Sequence, residues 1–219
     1  AAALQPGGTG PTPARSPPAP ATAALERERR TLTVRRQAIL QAVSEHPAWP
    51  TTDLSSLKAV ATGSPIVPPH LIDRFVARGV PVLQVYGSTE TCPIAIYTRL
   101  GGDLSREGST GLAGLCCEAQ VIDQAGREVP AGTPGEIAVR GPNVFFENWG
   151  NADATHDALN DGWYRTGDIG LCDADGYFWI RDRMKNLIIS GGENVYPAEV
   201  ERVLLEHPDV SECAVIGRP

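Results

Sequence analysis

Two neighbouring stretches, GWYRTGDIG (residues 162–170) and GYFWIRDRMKNLIISGGENVYPAEVE (residues 176–201), hold the densest set of reactive side chains in the chain. Carboxylates and arginines alternate with aromatic and aliphatic residues, and a pair of glycines follows at positions 191 and 192. Charged side chains are rarely buried without a partner, so charges at fixed offsets are more typical of a ligand site than of a hydrophobic core. We therefore predict that these residues carry the chemistry.

The local sequence predicts how these stretches fold. Residues 173–176 read Asp-Ala-Asp-Gly, the composition of a tight turn, so residues 169–172 and 177–180 are predicted to form a hairpin. Residues 187–190 are predicted to form another short strand that ends at the two glycines. Pro197 is well placed to open a helix, whose apolar positions recur at helical spacing: Val200, Val203 and Leu204.

A second motif, YGSTE at residues 86–90, follows an apolar run over residues 80–85. The run predicts a buried strand, and a Gly-Ser-Thr turn can present hydroxyl and N–H groups to an anion. A strand over residues 57–62, a helix opened by Pro68-Pro69 and ended by Gly79, and the strand over 80–85 predict a βαβ unit with a parallel sheet. Ligands of such sheets bind at the carboxyl ends of the strands, which is where this motif lies.

The rest of the chain predicts a mixed α/β protein. An amphipathic helix is predicted over residues 33–45, with Val34, Ala38, Leu40 and Val43 on its apolar face. Later segments predict short strands over 94–98, 117–122 and 135–140, a hairpin turn over 123–126, and a short helix over 151–159.

Composition limits the function classes. The 219 residues carry a net charge of −7 and no apolar run long enough to span a bilayer, which argues against nucleic-acid binding and against an integral membrane protein. Five cysteines, an odd number without C-x-x-C spacing, suit reduced thiols, so we expect a cytoplasmic protein.

Residues 1–30 are rich in proline, alanine and glycine and show no periodicity, so we expect a disordered arm. Two other interpretations compete with this one. The arginines are compatible with a targeting peptide, although Glu26 and Glu28 interrupt the charge and no apolar segment accompanies them. Residues 7–13, GGTGPTP, are compatible with a phosphate-binding loop.

Taken together, YGSTE, YRTGD and the run from DRMK to GGENVYPAEVE resemble the acyl- and aryl-CoA synthetases of the adenylate-forming enzyme superfamily. The resemblance covers residues 31 to the end. It implies an α/β fold: residues 31–182 would be the second half of a large adenylating domain, a βαβ sheet plus a small β-barrel, and residues 183–219 the hinge and the start of a small α+β domain.

The activity implied by the resemblance is that of an enzyme, an ATP-dependent acid–CoA ligase. A small carboxylic acid, fatty or aryl, would be converted to an acyl-adenylate, and the acyl group would then pass to the thiol of coenzyme A. The reaction builds negative charge around the α-phosphate, so protein groups and Mg²⁺ must neutralise it. ATP, Mg²⁺ and coenzyme A are the implied cofactors.

The same resemblance implies roles for individual residues. Thr89 would bond the α-phosphate, Glu90 would hold Mg²⁺, Asp168 would accept both ribose hydroxyls, and Arg183 would contact the ribose or a phosphate. Lys185 would occupy the interdomain hinge. The adenine would be lined by Gly63, Gln84, Tyr86, Gly87 and Ser88.

Each of these residues also has a purely structural interpretation. Thr89 could cap a helix, Glu90 could be a solvated carboxylate, and Asp168 could close the turn before it. Arg183 could pair only with Asp182, and Lys185 could be an ordinary exposed lysine.

The chain also departs from the pattern of the family. Ala14 stands where the phosphate loop of the family has a lysine, and the sequence stops at Pro219, before the C-terminal lysine that the family uses in adenylation. We therefore expect the chain alone to be inactive. The competing hypothesis is a non-catalytic remnant that binds a nucleotide weakly or serves as an interaction surface.

Overall fold

The computed structural model describes residues 18–63, 67, 69–103, 106, 108–205, 207, 209, 210 and 212–218. The chain divides into two compact units, Ala1–Gln84 and Val85–Pro219. The division falls within one strand, so each unit is described by itself. The predicted boundaries after residues 30 and 182 remain predictions.

The first unit alternates helices and strands: α1 (Pro18–Arg27), β1 (Leu32–Val34), α2 (Gln37–Ser44), β2 (Ala59–Thr62), α3 (Pro69–Val76) and β3 (Val82–Tyr86). Strands β1 and β2 are parallel, and so are β2 and β3, in a register that places Thr62 opposite Gln84. The predicted βαβ unit is therefore confirmed. Strand β2 is buried along its whole length, as expected of a strand that helices cover.

The core of this unit lies between the sheet and the helices. Phe75 and Leu71 of α3 are fully buried, and the ring of Trp49 meets that of Phe75 edge to face at 4.8 Å between centroids. Val76 of the same helix is 53% exposed. It lies one residue beyond Phe75 and therefore turns away from the buried face of the helix.

The expectation of a disordered arm does not hold for residues 18–30, because residues 18–27 form helix α1. Leu25 of this helix is 8% exposed and belongs to the core, and Thr22, one helical turn earlier, is also buried. The proline-rich composition of the arm as a whole concealed this short amphipathic segment. Residues 7–13, the alternative phosphate loop, lie outside the described residues.

The predicted helix over residues 33–45 is shorter than expected. It begins at Gln37, while Thr33 and Val34 belong to strand β1 and pair with β2. Leu40 and Val43 are buried as predicted, but Ala38 is exposed. A three-residue strand gives too short a pattern to separate from the helix that follows it, so only the pairing with β2 reveals it.

The second unit begins with the last two residues of β3, which pair with β4 (Ile96–Tyr97); β4 in turn pairs with β5 (Leu112–Ala113). An antiparallel sheet follows, formed by β6 (Glu118–Ile122), β7 (Gly135–Arg140), β8 (Leu159–Asn160), β9 (Trp163–Cys172) and β10 (Phe178–Arg183). Its order is β10-β9-β7-β6, with β8 on β9. This sheet occupies the region in which the resemblance predicts a small β-barrel.

Helix α4 (Ala152–Ala158) precedes β8, and Asn151 caps it by accepting a hydrogen bond from the amide of Ala154. The chain continues through the hairpin β11 (Ile188–Ser190) and β12 (Glu193–Val195) to helix α5 (Pro197–Leu205). The hairpin of β9 and β10, the strand that ends at the two glycines and the helix opened by Pro197 are all confirmed. Within the described part of the chain, no helix is long and apolar enough to cross a membrane.

Candidate functional site

The YGSTE motif forms a sharp turn at the end of β3. A Cβ atom on Gly87 would lie 2.0 Å from the carbonyl oxygen of Pro93, so glycine is required there. Thr89–Thr91 then form a single 3₁₀ turn. Thr91 fixes this turn, because its hydroxyl accepts from the amide of Ser88 at 2.9 Å and donates to the carbonyl of Ser88 at 3.1 Å. The exposed side chain of Thr89 is free to meet a ligand from solvent.

Glu90 is held through its backbone. Its carbonyl accepts from the amide of Phe145 at 2.9 Å, and Asn143 donates its side-chain amide to the carbonyl of Thr91 at 3.1 Å. The Glu90 side chain is partly exposed. Among the described residues, no three or more His, Cys, Asp and Glu side chains cluster as a metal site. A lone accessible carboxylate nevertheless fits Mg²⁺, which proteins commonly bind by one or two carboxylates together with substrate phosphates and water.

The YRTGD motif forms a bulge between two regular parts of the sheet. In the pairing of β7 with β9, Ala138 faces Arg165 and Glu136 faces Ile169, so residues 166–168 of β9 stand opposite the single residue Ile137. Gly167 at the middle of the bulge has φ +71°, a conformation that favours glycine. Bulges of this kind change the direction of side chains, and here the bulge changes the direction of the Asp168 side chain.

Asp168 joins the two motifs, although they are 82 residues apart in sequence. It is 8% exposed, and its Oδ2 accepts a hydrogen bond of 2.8 Å from the hydroxyl of Tyr86. The Nε of Arg183 lies 3.3 Å from Oδ1. The structure thus brings together three of the predicted site residues: Tyr86, Asp168 and Arg183.

The electrostatics of this group follow from burial. Loss of water raises the pKa of Asp168 above its ordinary value, although the hydrogen bond from Tyr86 and the charge of Arg183 act in the opposite direction. Burial and the negative charge of Asp168 raise the pKa of Tyr86, so this phenol stays protonated and donates. Burial also raises the pKa of Tyr164, and the negative charges of Glu90 and Asp168 raise it further.

The structural interpretation of Arg183, an ion pair with Asp182 alone, is wrong. The guanidinium of Arg183 reaches Asp168 and is 60% exposed, whereas the buried Asp182 accepts from the backbone amide of Arg183, at 2.7 Å, and not from its side chain. The exposed guanidinium remains accessible to an anionic ligand. Lys185 is exposed in a 3₁₀ turn over Met184–Asn186, and its hinge role stays a prediction.

Two of the predicted adenine contacts belong to the first unit. Gly63 directly follows β2 and is exposed, and Gln84 is buried on β3. Their nucleotide contacts stay predictions, as do those of Gly87 and Ser88.

Sequence reasoning missed the residues that support the site, namely Thr91, Glu136 and Thr166. The hydroxyl of Thr166 donates to the carbonyl of Ile137 at 2.8 Å and accepts from the amide of Asp168 at 3.1 Å. Glu136 gave one detectable signal, because it is a carboxylate beside the apolar run of residues 137–139 in a predicted strand.

The chain is similar in sequence and in fold to several known proteins. The family model described as "AMP-binding enzyme" matches residues 2–147. An indoleacetate–CoA ligase of Aromatoleum aromaticum is 49% identical over 195 residues, which are 89% of this chain and 38% of that protein. A feruloyl-CoA synthase of an Amycolatopsis species is 42% identical over 92% of this chain and 41% of its own length.

The structure of O-succinylbenzoate coenzyme A synthetase from Bacillus subtilis, in complex with ATP and magnesium ion, superposes with a TM-score of 0.85. It is 33% identical, over 93% of this chain and 42% of that one. The chain thus spans about two fifths of the length of these relatives. Because the family model covers well over half of the chain and the fold agrees, the chain belongs to the AMP-binding enzyme family, the adenylate-forming enzymes that its motifs resemble.

Proposed function

We propose that this chain is the part of an ATP-dependent acid–CoA ligase that binds the ribose and α-phosphate of the nucleotide. The observation that supports this most is the contact of Tyr86, Asp168 and Arg183, because it joins the two motifs around one buried carboxylate. A carboxylate with two accepting oxygens suits a vicinal diol, which offers two O–H donors. The exposed guanidinium beside it suits an anionic group on the same ligand.

The proposed reaction has two steps. In the first, the substrate carboxylate forms a bond to the α-phosphorus of ATP while the bond to pyrophosphate breaks. In the second, the thiol of coenzyme A gives its proton to water and its sulfur bonds to the acyl carbon, while the bond from that carbon to the phosphate oxygen breaks and AMP leaves with its electron pair. Both steps need the α-phosphate to stay fixed while its charge changes.

The residues of the chain would hold the α-phosphate in place as follows. Asp168 orients the ribose, and the exposed hydroxyl of Thr89 donates to an α-phosphate oxygen. Arg183 supplies positive charge beside the ribose. Glu90 would hold Mg²⁺, which neutralises phosphate charge when bound.

The proposed substrate is an aromatic carboxylic acid. The three relatives described above are named for indoleacetate, ferulate and succinylbenzoate, all of which contain a ring. The fatty-acid alternative and the cytoplasmic location have weaker support and are kept only as further proposals.

The proposal is tested by calorimetry of the 219-residue chain with AMP. Replacing Asp168 by Ala removes two charge-assisted hydrogen bonds, so affinity should fall by at least about tenfold. Asp157→Ala is the matched control, because Asp157 is an exposed carboxylate of helix α4 outside the candidate site. Equal AMP affinity in the wild-type and Asp168→Ala chains would remove Asp168 from the site and contradict the proposal.

A further inference from the structure

The bulge that presents Asp168 creates a structural problem. Residues 166–168 have no regular partner on β7, so their backbone groups need hydrogen bonds from elsewhere. The amide of Asp168 is satisfied by the hydroxyl of Thr166 at 3.1 Å. The amide of Gly167 donates to a side chain 31 residues earlier, that of Glu136.

Glu136 divides its carboxylate between two tasks. Its Oε1 accepts from the amide of Gly167 at 3.0 Å, while Oε2 accepts from Nε and Nη2 of Arg165 at 2.8 and 2.6 Å. The residue is 6% exposed, and the side chain of Arg165 reaches partly into solvent. The single carboxylate of Glu136 therefore holds the bulge at its start, through Arg165, and at its middle, through Gly167.

We infer that Glu136 is a positioning residue for Asp168: by holding the amide of Gly167, it fixes the bulge in the conformation in which Asp168 presents its carboxylate to the ribose of a nucleotide. This inference rests on the proposed function. Glu136 does not itself need to touch the nucleotide. The competing role is that of a simple ion pair that stabilises β7 against β9, and the two roles differ in what the Gly167 amide does when Glu136 is changed.

The informative variant removes both charges of the pair, Glu136→Leu with Arg165→Leu. Deleting one partner of a buried ion pair leaves an uncompensated charge and endangers folding, whereas replacing both by apolar residues is often neutral. The double variant should therefore fold while the Gly167 amide loses its acceptor. The rescue variant combines Glu136→Gln with Arg165→Leu, because the side-chain carbonyl of Gln can still accept from Gly167 and no unpaired cation remains.

The matched control is Glu118→Leu with Arg140→Leu. These residues also form an ion pair between neighbouring strands, with Nη2 of Arg140 at 2.6 Å from Oε2 of Glu118, but the pair is exposed and makes no contact with the bulge among the described residues. All variants are made in the 219-residue chain. Three quantities are measured: amide exchange of Gly167 by NMR, AMP affinity by calorimetry, and the thermal midpoint.

In the Glu136/Arg165 double variant we expect the Gly167 amide to exchange at least about tenfold faster and AMP affinity to fall about tenfold, the loss expected of one buried hydrogen bond. The rescue variant and the Glu118/Arg140 variant should keep both quantities within about threefold of wild type. Unchanged Gly167 exchange in the Glu136/Arg165 variant would overturn the inference. So would faster exchange spread evenly over β7 and β9, which would show a general stabilising role.

The two proposals can fail separately. If wild-type chain binds no AMP but Gly167 loses protection only in the Glu136/Arg165 variant, the control of the bulge by Glu136 stands and the proposed function is contradicted. If wild-type chain binds AMP and the Glu136/Arg165 variant binds it equally well, the positioning role is wrong and the proposed function stands.

Discussion

At the scale of single residues, the burial of the Asp168 carboxylate costs free energy. It is almost fully buried and accepts one hydrogen bond from a neutral phenol, and its cationic neighbour Arg183 is mostly exposed to water. Water screens that cation and weakens its attraction for the carboxylate. A residue kept in such surroundings is more easily explained by ligand binding than by stability.

The pH dependence of stability should reveal this cost. A carboxyl group whose pKa is raised in the folded protein favours folding when protonated. For Asp168 that contribution is complete below the ordinary pKa of 3.8 and is lost as the pH rises through the folded pKa. Asp168→Asn removes the ionisation but keeps an acceptor for Tyr86. The variant should therefore gain stability relative to wild type as the pH rises above 3.8, and be as stable or more stable at pH 7.

Urea unfolding of both chains between pH 4 and pH 7 measures the effect. The variant should also bind AMP more weakly, because an amide offers the diol one acceptor oxygen in place of two. A stability difference that does not change with pH would show that burial does not raise the pKa of Asp168.

At the scale of elements, Asp182 ties three pieces of secondary structure together. Its Oδ1 accepts from the amide of Arg183 and, at 3.0 Å, from the side chain of Asn186 in the 3₁₀ turn. Its Oδ2 accepts from the amide of Ala198 at 2.9 Å, in the first turn of α5. The residue thus acts as a helix cap supplied by a strand. Any rotation of the chain at Lys185, as the hinge prediction requires, would have to break the contact with Ala198.

Asp182→Ala should destabilise the protein by about 1–2 kcal/mol, the usual loss when a helix cap is removed. The amide of Ala198 should exchange faster, because the carboxylate of Asp182 is its acceptor in the described structure. Asp157→Ala, the same change at an exposed helix position, should stay within about 0.5 kcal/mol. Unfolding by urea and amide exchange by NMR give the two readouts, and an Ala198 amide as protected as in wild type would show that Asp182 is not the cap.

At the scale of the whole molecule, the chain spans about two fifths of the length of its relatives. Adenylation needs the groups around the triphosphate, ribose, metal and acid to be held together, because preorganised groups act as a unit. Among the described residues, the proposed site offers one buried carboxylate for the ribose, an exposed threonine and one carboxylate for a metal. The expected behaviour of the 219-residue chain is therefore nucleotide binding without turnover.

Purified chain is assayed with ATP, Mg²⁺, coenzyme A and a panel of aromatic and fatty acids, with pyrophosphate and thioester as products. The indoleacetate–CoA ligase of A. aromaticum serves as the positive control. We expect neither product from the chain. Turnover at an ordinary enzymatic rate, about 1 per second or faster, would contradict this expectation and show that the 219 residues suffice.

Local signals in the sequence determined the elements. The Asp-Gly turn at residues 173–176, the proline at 197 and the apolar run before Tyr86 placed a hairpin, a helix and a buried strand correctly. Each of these signals acts within a few residues, because turn conformations and helix starts depend on backbone angles that the local side chains set. The ordered motifs were also enough to identify the family.

The tertiary structure alone decided which side chains meet. The contacts of Tyr86 with Asp168, of Glu136 with Gly167 and of Asp182 with Ala198 span 82, 31 and 16 residues. The contact of Glu136 with Gly167 depends on strand register, and the pairing of β7 with β9 shifts its register at the bulge that carries Asp168. No short stretch of sequence predicts such a shift, because it arises from the hydrogen bonds between two strands that lie far apart in the chain.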